Sequence, residues 1–138
     1  MKRIIKIFFI MMILGTSFFL SSCKHEKTDL EKIKDLDFTV VEDEDIPKEL
    51  KEIIEEKKSN PFKITFSNKE YLYIIMGYGE QPTGGYSITV DDLYLTKNAI
   101  YFDTSLLGPP KDEKVTQATT YPYIVVKIEY MDKSVVFE

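Results

Sequence analysis

Tyr71-Leu-Tyr-Ile-Ile-Met76 is an unbroken apolar stretch near the middle of this chain of 138 residues. A strand with one solvated face alternates apolar and polar residues, whereas a strand covered on both faces reads as a continuous apolar run. We therefore predict that residues 71–76 form the central, doubly covered strand of the fold.

Alternating stretches lie on both sides of this segment. Phe62, Ile64 and Phe66 precede it at every second position, and Tyr86, Ile88 and Val90 follow it with the same spacing. This period of two indicates half-buried strands. We interpret Asp91-Asp92 as a solvated turn, after which Leu93 and Leu95 continue the strand. Predicted strands cover residues 37–42, 62–66, 71–76, 86–95, 100–103, 121–130 and 134–137.

One amphipathic helix is predicted between the first two strands. Its apolar stripe is formed by Ile46, Leu50, Ile53 and Ile54. Pro47 suits the first helical position, because its missing N–H is not needed there. Asn60-Pro61 ends the helix. The fold class is therefore α+β: a mainly antiparallel sheet of six to seven strands, as a sandwich or partly open barrel, with one N-terminal helix.

The beginning of the chain has the pattern of a secretory signal. A basic head, Met1–Lys6, precedes an apolar run to Leu20 and the sequence Leu20-Ser-Ser-Cys23. Because this pattern ends at the chain's single cysteine, it resembles a bacterial lipoprotein signal, in which the cysteine is lipidated. We expect a signal peptide over 1–22, a lipidated tether over 23–36 and one domain over 37–138. The alternatives are a short membrane-spanning anchor and an ordinary cleaved signal.

Charge and composition exclude several classes of partner. Removal of the signal takes three of the 18 basic residues, which leaves 15 against 23 acidic ones and a net charge of −8. Such a charge argues against nucleic acid and against electrostatic adhesion to anionic lipid, so membrane attachment would depend on acyl chains. The expected location is the outer face of a bacterial membrane or envelope.

Residues for catalysis or metal binding are scarce. His25 is the only histidine and lies two residues after Cys23, so a histidine-assisted nucleophile cannot be built within the domain. No Cys/His cluster has zinc spacing, and no phosphate-binding glycine motif is present. We therefore predict no catalytic residues, no metal and no cofactor.

The best candidate for a site is the stretch Gly77-Tyr-Gly-Glu-Gln-Pro-Thr-Gly-Gly-Tyr86. Its glycines permit backbone angles that other residues resist, and such a loop can expose backbone N–H groups to a partner. The predicted partner-contact residues are Gln81, Pro82, Thr83, Gly84, Gly85 and Tyr86. The alternative is that Gly84-Gly85 serve only a tight connection or bulge, with Tyr86 in the core.

Two segments resemble the PrcB C-terminal domain family. Gln81-Pro-Thr-Gly-Gly-Tyr-Ser-Ile-Thr-Val90 resembles its first motif block, and Thr119-Thr-Tyr-Pro-Tyr-Ile-Val-Val-Lys-Ile128 resembles its second, in which Tyr121, Pro122 and Tyr123 open the last long strand. The family takes its name from a lipoprotein subunit of a surface-associated protease complex. The resemblance therefore implies a non-catalytic accessory that assembles with or stabilises a protease, with membrane attachment through Cys23.

A second resemblance concerns residues 82–88 alone. Pro82-Thr-Gly-Gly-Tyr-Ser-Ile88 is similar to the loop with which chagasin-type inhibitors plug cysteine proteases. Gln81, Gly84 and Ile88 depart from that pattern. Three functions thus stay open: a protease accessory, a protease inhibitor, and a structural or ligand-binding envelope lipoprotein without a protease partner.

Overall fold

The computed structural model of the protein describes residues 31–138. This part of the chain forms eight strands and one α-helix, in the order β1 Lys34–Asp35, β2 Thr39–Val40, α1 Lys48–Lys57, β3 Pro61–Ser67, β4 Tyr71–Tyr78, β5 Ser87–Leu95, β6 Ala99–Leu107, β7 Tyr123–Glu129 and β8 Ser134–Phe137. A short 3-10 helix, Asp43–Asp45, lies between β2 and α1. The predicted signal peptide and Cys23 lie outside the described residues.

The strands are divided between two sheets that pack as a sandwich. Sheet A has the order β1-β5-β6-β8, and sheet B has the order β2-β7-β4-β3. The main core lies between them, because it combines Leu93, Ile100 and Phe102 of sheet A with Ile74 and Val126 of sheet B. This selects the sandwich from the two architectures that the sequence allowed.

Helix α1 forms a third layer on the outer face of sheet B. Ile46, Leu50 and Ile54 pack with Tyr73 and Ile75 of β4 in a second core. The helix begins one residue later than predicted, since Pro47 has an extended backbone and precedes the first turn. The prediction of one amphipathic helix is confirmed.

Strand β4 is covered on both faces, as its unbroken apolar sequence predicts. Leu72 and Ile74 face the core between the sheets, while Tyr73 and Ile75 face the helix. Its two neighbours in sheet B pair with nearly all of it: β3 with residues 72–78 and β7 with residues 71–77.

The N-terminal part of the sandwich differs from the prediction. Residues 34–35, at the end of the predicted tether, pair with Leu95 and Tyr94 of β5 as strand β1, and Leu36 is buried in the main core. The predicted strand 37–42 shortens to Thr39–Val40. The chain crosses here from sheet A to sheet B, which leaves room for only two short strands and raises the strand number to eight.

Asp91-Asp92 do not form a turn, so that interpretation was wrong. The ladder between β5 and β6 shifts by one residue between Val90 and Asp92, which marks a β-bulge inside a continuous strand. The extra residue allows Ile88 and Val90 to share the core face with Leu93 and Leu95, although Val90 and Leu93 are three positions apart, an odd spacing that would put them on opposite faces of a regular strand.

Strand β8 also departs from a purely antiparallel arrangement. It follows β7 of sheet B along the chain but joins sheet A, where it pairs in parallel with β6. All the other strand pairs are antiparallel.

The sandwich has two distinct ends. The turns that follow β3, β5 and β7 meet at one end. Tyr130 N–H donates to the Glu70 carbonyl at 3.0 Å, and Lys133 Nζ donates to the Lys97 carbonyl at 2.9 Å. Strand β1 begins at this end, where Ile33 N–H donates to the Leu95 carbonyl. We call it the tether end. The other end, about 25 Å away along β4 at the usual rise of a strand, carries the two long loops.

Candidate functional site

Two loops cross between the sheets at the end opposite the tether. The glycine loop, residues 79–86, joins β4 of sheet B to β5 of sheet A. The proline loop, residues 108–122, joins β6 of sheet A to β7 of sheet B. The two motif blocks seen in the sequence therefore meet in space, because one contains the glycine loop and the other contains the end of the proline loop.

Hydrogen bonds join residues 81–84 of the glycine loop to residues 116–120 of the proline loop. Gln81 and Thr120 exchange backbone hydrogen bonds of 2.8 and 3.0 Å, which form an isolated antiparallel bridge. The Thr120 hydroxyl donates to the Thr83 carbonyl at 2.7 Å, and Gly84 N–H donates to the Thr116 carbonyl at 2.8 Å. The loops thus form one connected surface.

The backbone conformation at position 85 requires glycine. Its φ of +81° is a conformation that L-residues rarely adopt. A Cβ built on it would lie 2.5 Å from Val115 Cγ1 and 2.9 Å from Pro109 Cβ, so the proline loop packs directly against it. Neighbouring Gly84 is different, since its Cβ would approach Thr116 only to 3.5 Å, an ordinary contact.

The remaining residues of the glycine loop differ in exposure. Pro82 is exposed, while Gln81, Thr83 and Tyr86 are half-buried. Tyr86 does not enter the main core; its ring lies beside Gly108, where a Cβ would be 3.6 Å from Tyr86 Cε1. The surface of the loop therefore combines an exposed proline with partly covered polar and aromatic groups.

The second motif block links the proline loop to both neighbouring elements. The Pro122 carbonyl accepts a hydrogen bond from Tyr78 N–H at 3.0 Å, at the end of β4. The Tyr121 ring lies 5.5 Å from Lys58 Nζ, just after α1. The Tyr123 hydroxyl donates to Asp43 Oδ1 at 2.8 Å. This block therefore connects β4, the end of α1 and the 3-10 helix Asp43–Asp45 beneath the loops.

The contact between Tyr123 and Asp43 changes the ionisation of both groups. Burial first, and then the hydrogen bond to Asp43, raise the pKa of Tyr123 to about 12. The pKa of Asp43 is lowered, chiefly by the hydrogen bond from Lys51 and then by the one from Tyr123. Both shifts favour the protonated tyrosine and the ionised aspartate that the hydrogen bond needs.

Carboxylates elsewhere in residues 31–138 do not converge on a metal site. No group of three or more His, Cys, Asp or Glu side chains in this part of the chain could hold a metal ion. Asp91, at the bulge, instead accepts hydrogen bonds from the hydroxyls of Thr89 and Ser105. Asp43 is already engaged with Lys51 and Tyr123.

Sequence reasoning did not identify Thr116 and Thr120 as partners of the glycine loop. Both lie at least 30 positions from it, in a loop whose sequence has no regular period. The only hint was the order of the two motif blocks, which does not specify the pairing of residues.

A cation–aromatic cluster on sheet A was also not foreseen. Lys32 Nζ lies 5.2 Å from the Tyr94 ring centroid, and Tyr94 stacks on Tyr101 with centroids 5.2 Å apart. Asp35 and Asp92 form ion pairs with the same lysine. This cluster fastens the segment before β1 to the sheet near the tether end.

Comparison with known proteins identifies the class of domain. The family model described as PrcB C-terminal matches residues 72–129, a segment that runs from β4 through both loops to β7. This match confirms the resemblance drawn from the two motif blocks. No curated protein and no solved structure matches the chain.

The predicted membrane attachment is not tested by this comparison. Within residues 31–138, no helix is long and apolar enough to cross a membrane. The signal peptide and the lipidation of Cys23 stay predictions, since residues 1–30 are outside the described part of the chain.

Proposed function

We propose that this protein is a lipid-anchored extracytoplasmic module that acts by protein contact, as a non-catalytic accessory or stabilising subunit of a secreted or surface protease. The observation that carries the proposal is the meeting of the two motif blocks in one hydrogen-bonded loop surface. The matched family segment spans both loops.

The position of the loops supports a contact role. They lie at the end of the sandwich opposite β1, where the chain enters the described domain. With a lipid on Cys23, residues 24–31 would separate the membrane from the domain, and the loop surface would face away from the bilayer. A partner would then reach the exposed Pro82 without displacing the tether.

The chemistry of the described residues supports a non-catalytic role. The chain's only histidine and only cysteine, His25 and Cys23, both precede residue 31. A serine or threonine nucleophile of the domain would therefore lack the histidine base of the commonest arrangements. Four hydrogen bonds between the loops instead engage Thr120, Thr116 and the backbone of residues 81–84.

The test is a pull-down of the tagged protein from gently solubilised envelopes, with partners identified by mass spectrometry. We compare wild type with Cys23→Ser, with Pro82→Glu at the loop end, and with Lys69→Glu as a matched exposed substitution at the tether end. A stoichiometric protease retained by wild type and Lys69→Glu, and lost with Pro82→Glu, is the expected result. Absence of a protease from the wild-type sample would reject the accessory function.

Protease inhibition is a second candidate, favoured by one feature of the fold. The Pro82-Thr-Gly-Gly segment is a loop at one end of a two-sheet sandwich, which is the arrangement that the chagasin resemblance implies. The purified protein would then inhibit cysteine proteases at micromolar concentration. No inhibition across a panel of cysteine and serine proteases would remove this candidate and leave the accessory function intact.

A structural or ligand-binding lipoprotein is the remaining alternative. It would give a wild-type pull-down without a protease together with an inactive inhibition assay.

A further inference from the structure

Strand β5 is an edge strand over half of its length. On one side it pairs with β6 from Ser87 to Leu95. On the other side β1 pairs only with Tyr94 and Leu95, and Leu36 N–H reaches the Leu93 carbonyl. Among residues 31–138, no strand covers the outer side of Ser87–Val90.

The register shows which backbone groups face this open side. Thr96 N–H donates to the Ala99 carbonyl at the hairpin turn, so the odd-numbered residues of β6 point their backbone groups toward β5. Ser87 and Thr89 lie opposite Leu107 and Ser105 and therefore bond to β6. The N–H and C=O groups of Ile88 and Val90 consequently point outward, away from β6.

This edge lacks the devices that usually protect free strands. Natural edges carry proline, lysine or inward-pointing charge that blocks pairing with another chain. Strand β3, at one edge of sheet B, follows that rule, since it begins with Pro61 and carries exposed Lys63. Residues 87–90 contain no proline, lysine or other charged residue. The bulge at Asp91 lies only at the far end of this segment.

We propose that residues Ser87–Val90 accept an extended segment of the protein partner as an added antiparallel or parallel strand. This inference rests on the proposed contact function and specifies how the partner is bound. The open edge is continuous with the glycine loop, which ends at Tyr86, so loop and edge would contact the same partner.

The side chains define the chemistry of the added strand. Ile88 and Val90 are half-buried at the rim of the main core. The partner's residues on that face would therefore be apolar and would bury the parts of these two side chains that are exposed. The opposite face of β5 carries exposed Ser87 and Thr89, with Asp91 beyond them. The partner's alternate residues would therefore be polar or basic.

The experiment uses the full chain in detergent micelles and a phage-displayed library of random peptides as the probe. Enriched peptides are synthesised, and amide exchange of the protein is followed by NMR with and without each peptide. We expect enriched sequences with alternating apolar residues, which slow exchange at the Ile88 and Val90 amides at least tenfold. The Thr89 amide, already paired with β6, should change much less.

Two matched proline variants test the edge directly. Ile88 and Leu106 are cross-strand neighbours, both half-buried, and their N–H groups point to opposite sides of the β5–β6 ribbon. Ile88→Pro should weaken peptide binding at least tenfold, whereas Leu106→Pro should leave it unchanged. If both variants unfold, amide exchange in the wild-type protein decides.

Several outcomes would overturn the inference. They are the absence of enriched peptides, protection confined to the β6 edge at Thr104 and Leu106, or equal loss of binding in two folded proline variants. None of them involves a protease, so they leave the pull-down result untouched. Conversely, peptide binding at Ile88 and Val90 without a co-purified protease would reject the proposed function and keep the strand-accepting edge.

Discussion

At the scale of single residues, Gly85 fixes the way in which the two loops pack. Its positive φ and its contact with Val115 and Pro109 are separate requirements, and both exclude a side chain. Gly84 satisfies neither condition, although the two glycines are adjacent in the sequence.

Gly85→Ala should therefore destabilise the protein by about 1–3 kcal/mol, because the new Cβ is strained and also meets the proline loop. Gly84→Ala is the matched control and should cost less than about 1 kcal/mol. Urea unfolding of the two variants measures the difference. Equal losses would mean that the positive φ of Gly85 does not limit the fold.

The hydrogen bond between Tyr123 and Asp43 predicts a pH dependence at the alkaline end. The folded protein holds the pKa of Tyr123 at about 12, above the ordinary value of 10.0. The stabilisation from this shift is complete below pH 10.0 and is lost as the pH rises toward 12. The urea midpoint of wild type should therefore fall across this range more steeply than that of Tyr123→Phe. Parallel pH profiles would contradict the assignment.

At the scale of elements, the bulge in β5 puts two alternating segments on the same core face. The first segment contains Ile88 and Val90, and the second contains Leu93 and Leu95. Without Asp91, the sequence from Ile88 to Leu95 would alternate strictly, with Val90 and Leu93 still on the core face. Removal of Thr89 has the opposite effect, since a regular strand would then place Asp91 on the core face and Val90 outside.

Deletion of Asp91 should accordingly give a folded protein with a melting temperature close to that of wild type, because the deletion removes only the bulge. Deletion of Thr89 should lower it sharply or prevent folding. Circular dichroism and thermal melting of the two deletion variants provide the measurement. Greater damage from the Asp91 deletion would show that the bulge is essential to the sheet.

The elements also show how far sequence alone predicts this fold. Strands β3, β4 and β7 and helix α1 were predictable, because each has a clear period or a continuous apolar run. Strand β1 was not, since Lys34–Asp35 has no pattern of its own and is held by β5. The adjacent aspartates predict a turn, because Asp is depleted in strands, whereas the structure has a bulge there. The odd spacing between Val90 and Leu93 indicates a bulge, because one extra residue is needed to put both on the core face.

The candidate site was predictable only in part, for a similar reason. The need for glycine at position 85 follows from local sequence. The bonds from Thr116 and Thr120 join residues that are distant along the chain, and no local propensity specifies them.

At the scale of the whole molecule, the sandwich separates a tether end from a loop end. The lysine–tyrosine cluster and the pairing of β1 fasten the N-terminal segment at one end, and both motif blocks meet at the other. This polarity agrees with a domain that is held at the membrane and binds a partner on its distal side.

The proposed lipidation of Cys23 gives a direct prediction. Cys23→Ser should release the protein from the membrane fraction or leave it unprocessed, because the acyl chains would be the main source of affinity for the bilayer. Fractionation of cell envelopes with immunodetection measures the change. A membrane fraction and a protein mass that both equal those of wild type would instead indicate a spanning anchor.

The most direct test of the contact surface is site-specific photo-crosslinking in intact cell envelopes. A photoreactive amino acid replaces exposed Pro82 in the glycine loop or, in the control, exposed Lys69 at the tether end. We expect a single crosslinked protease from position 82 and none from position 69. Crosslinks to the same protein from both positions, or no protein crosslinked from position 82, would contradict a contact surface at the loop end.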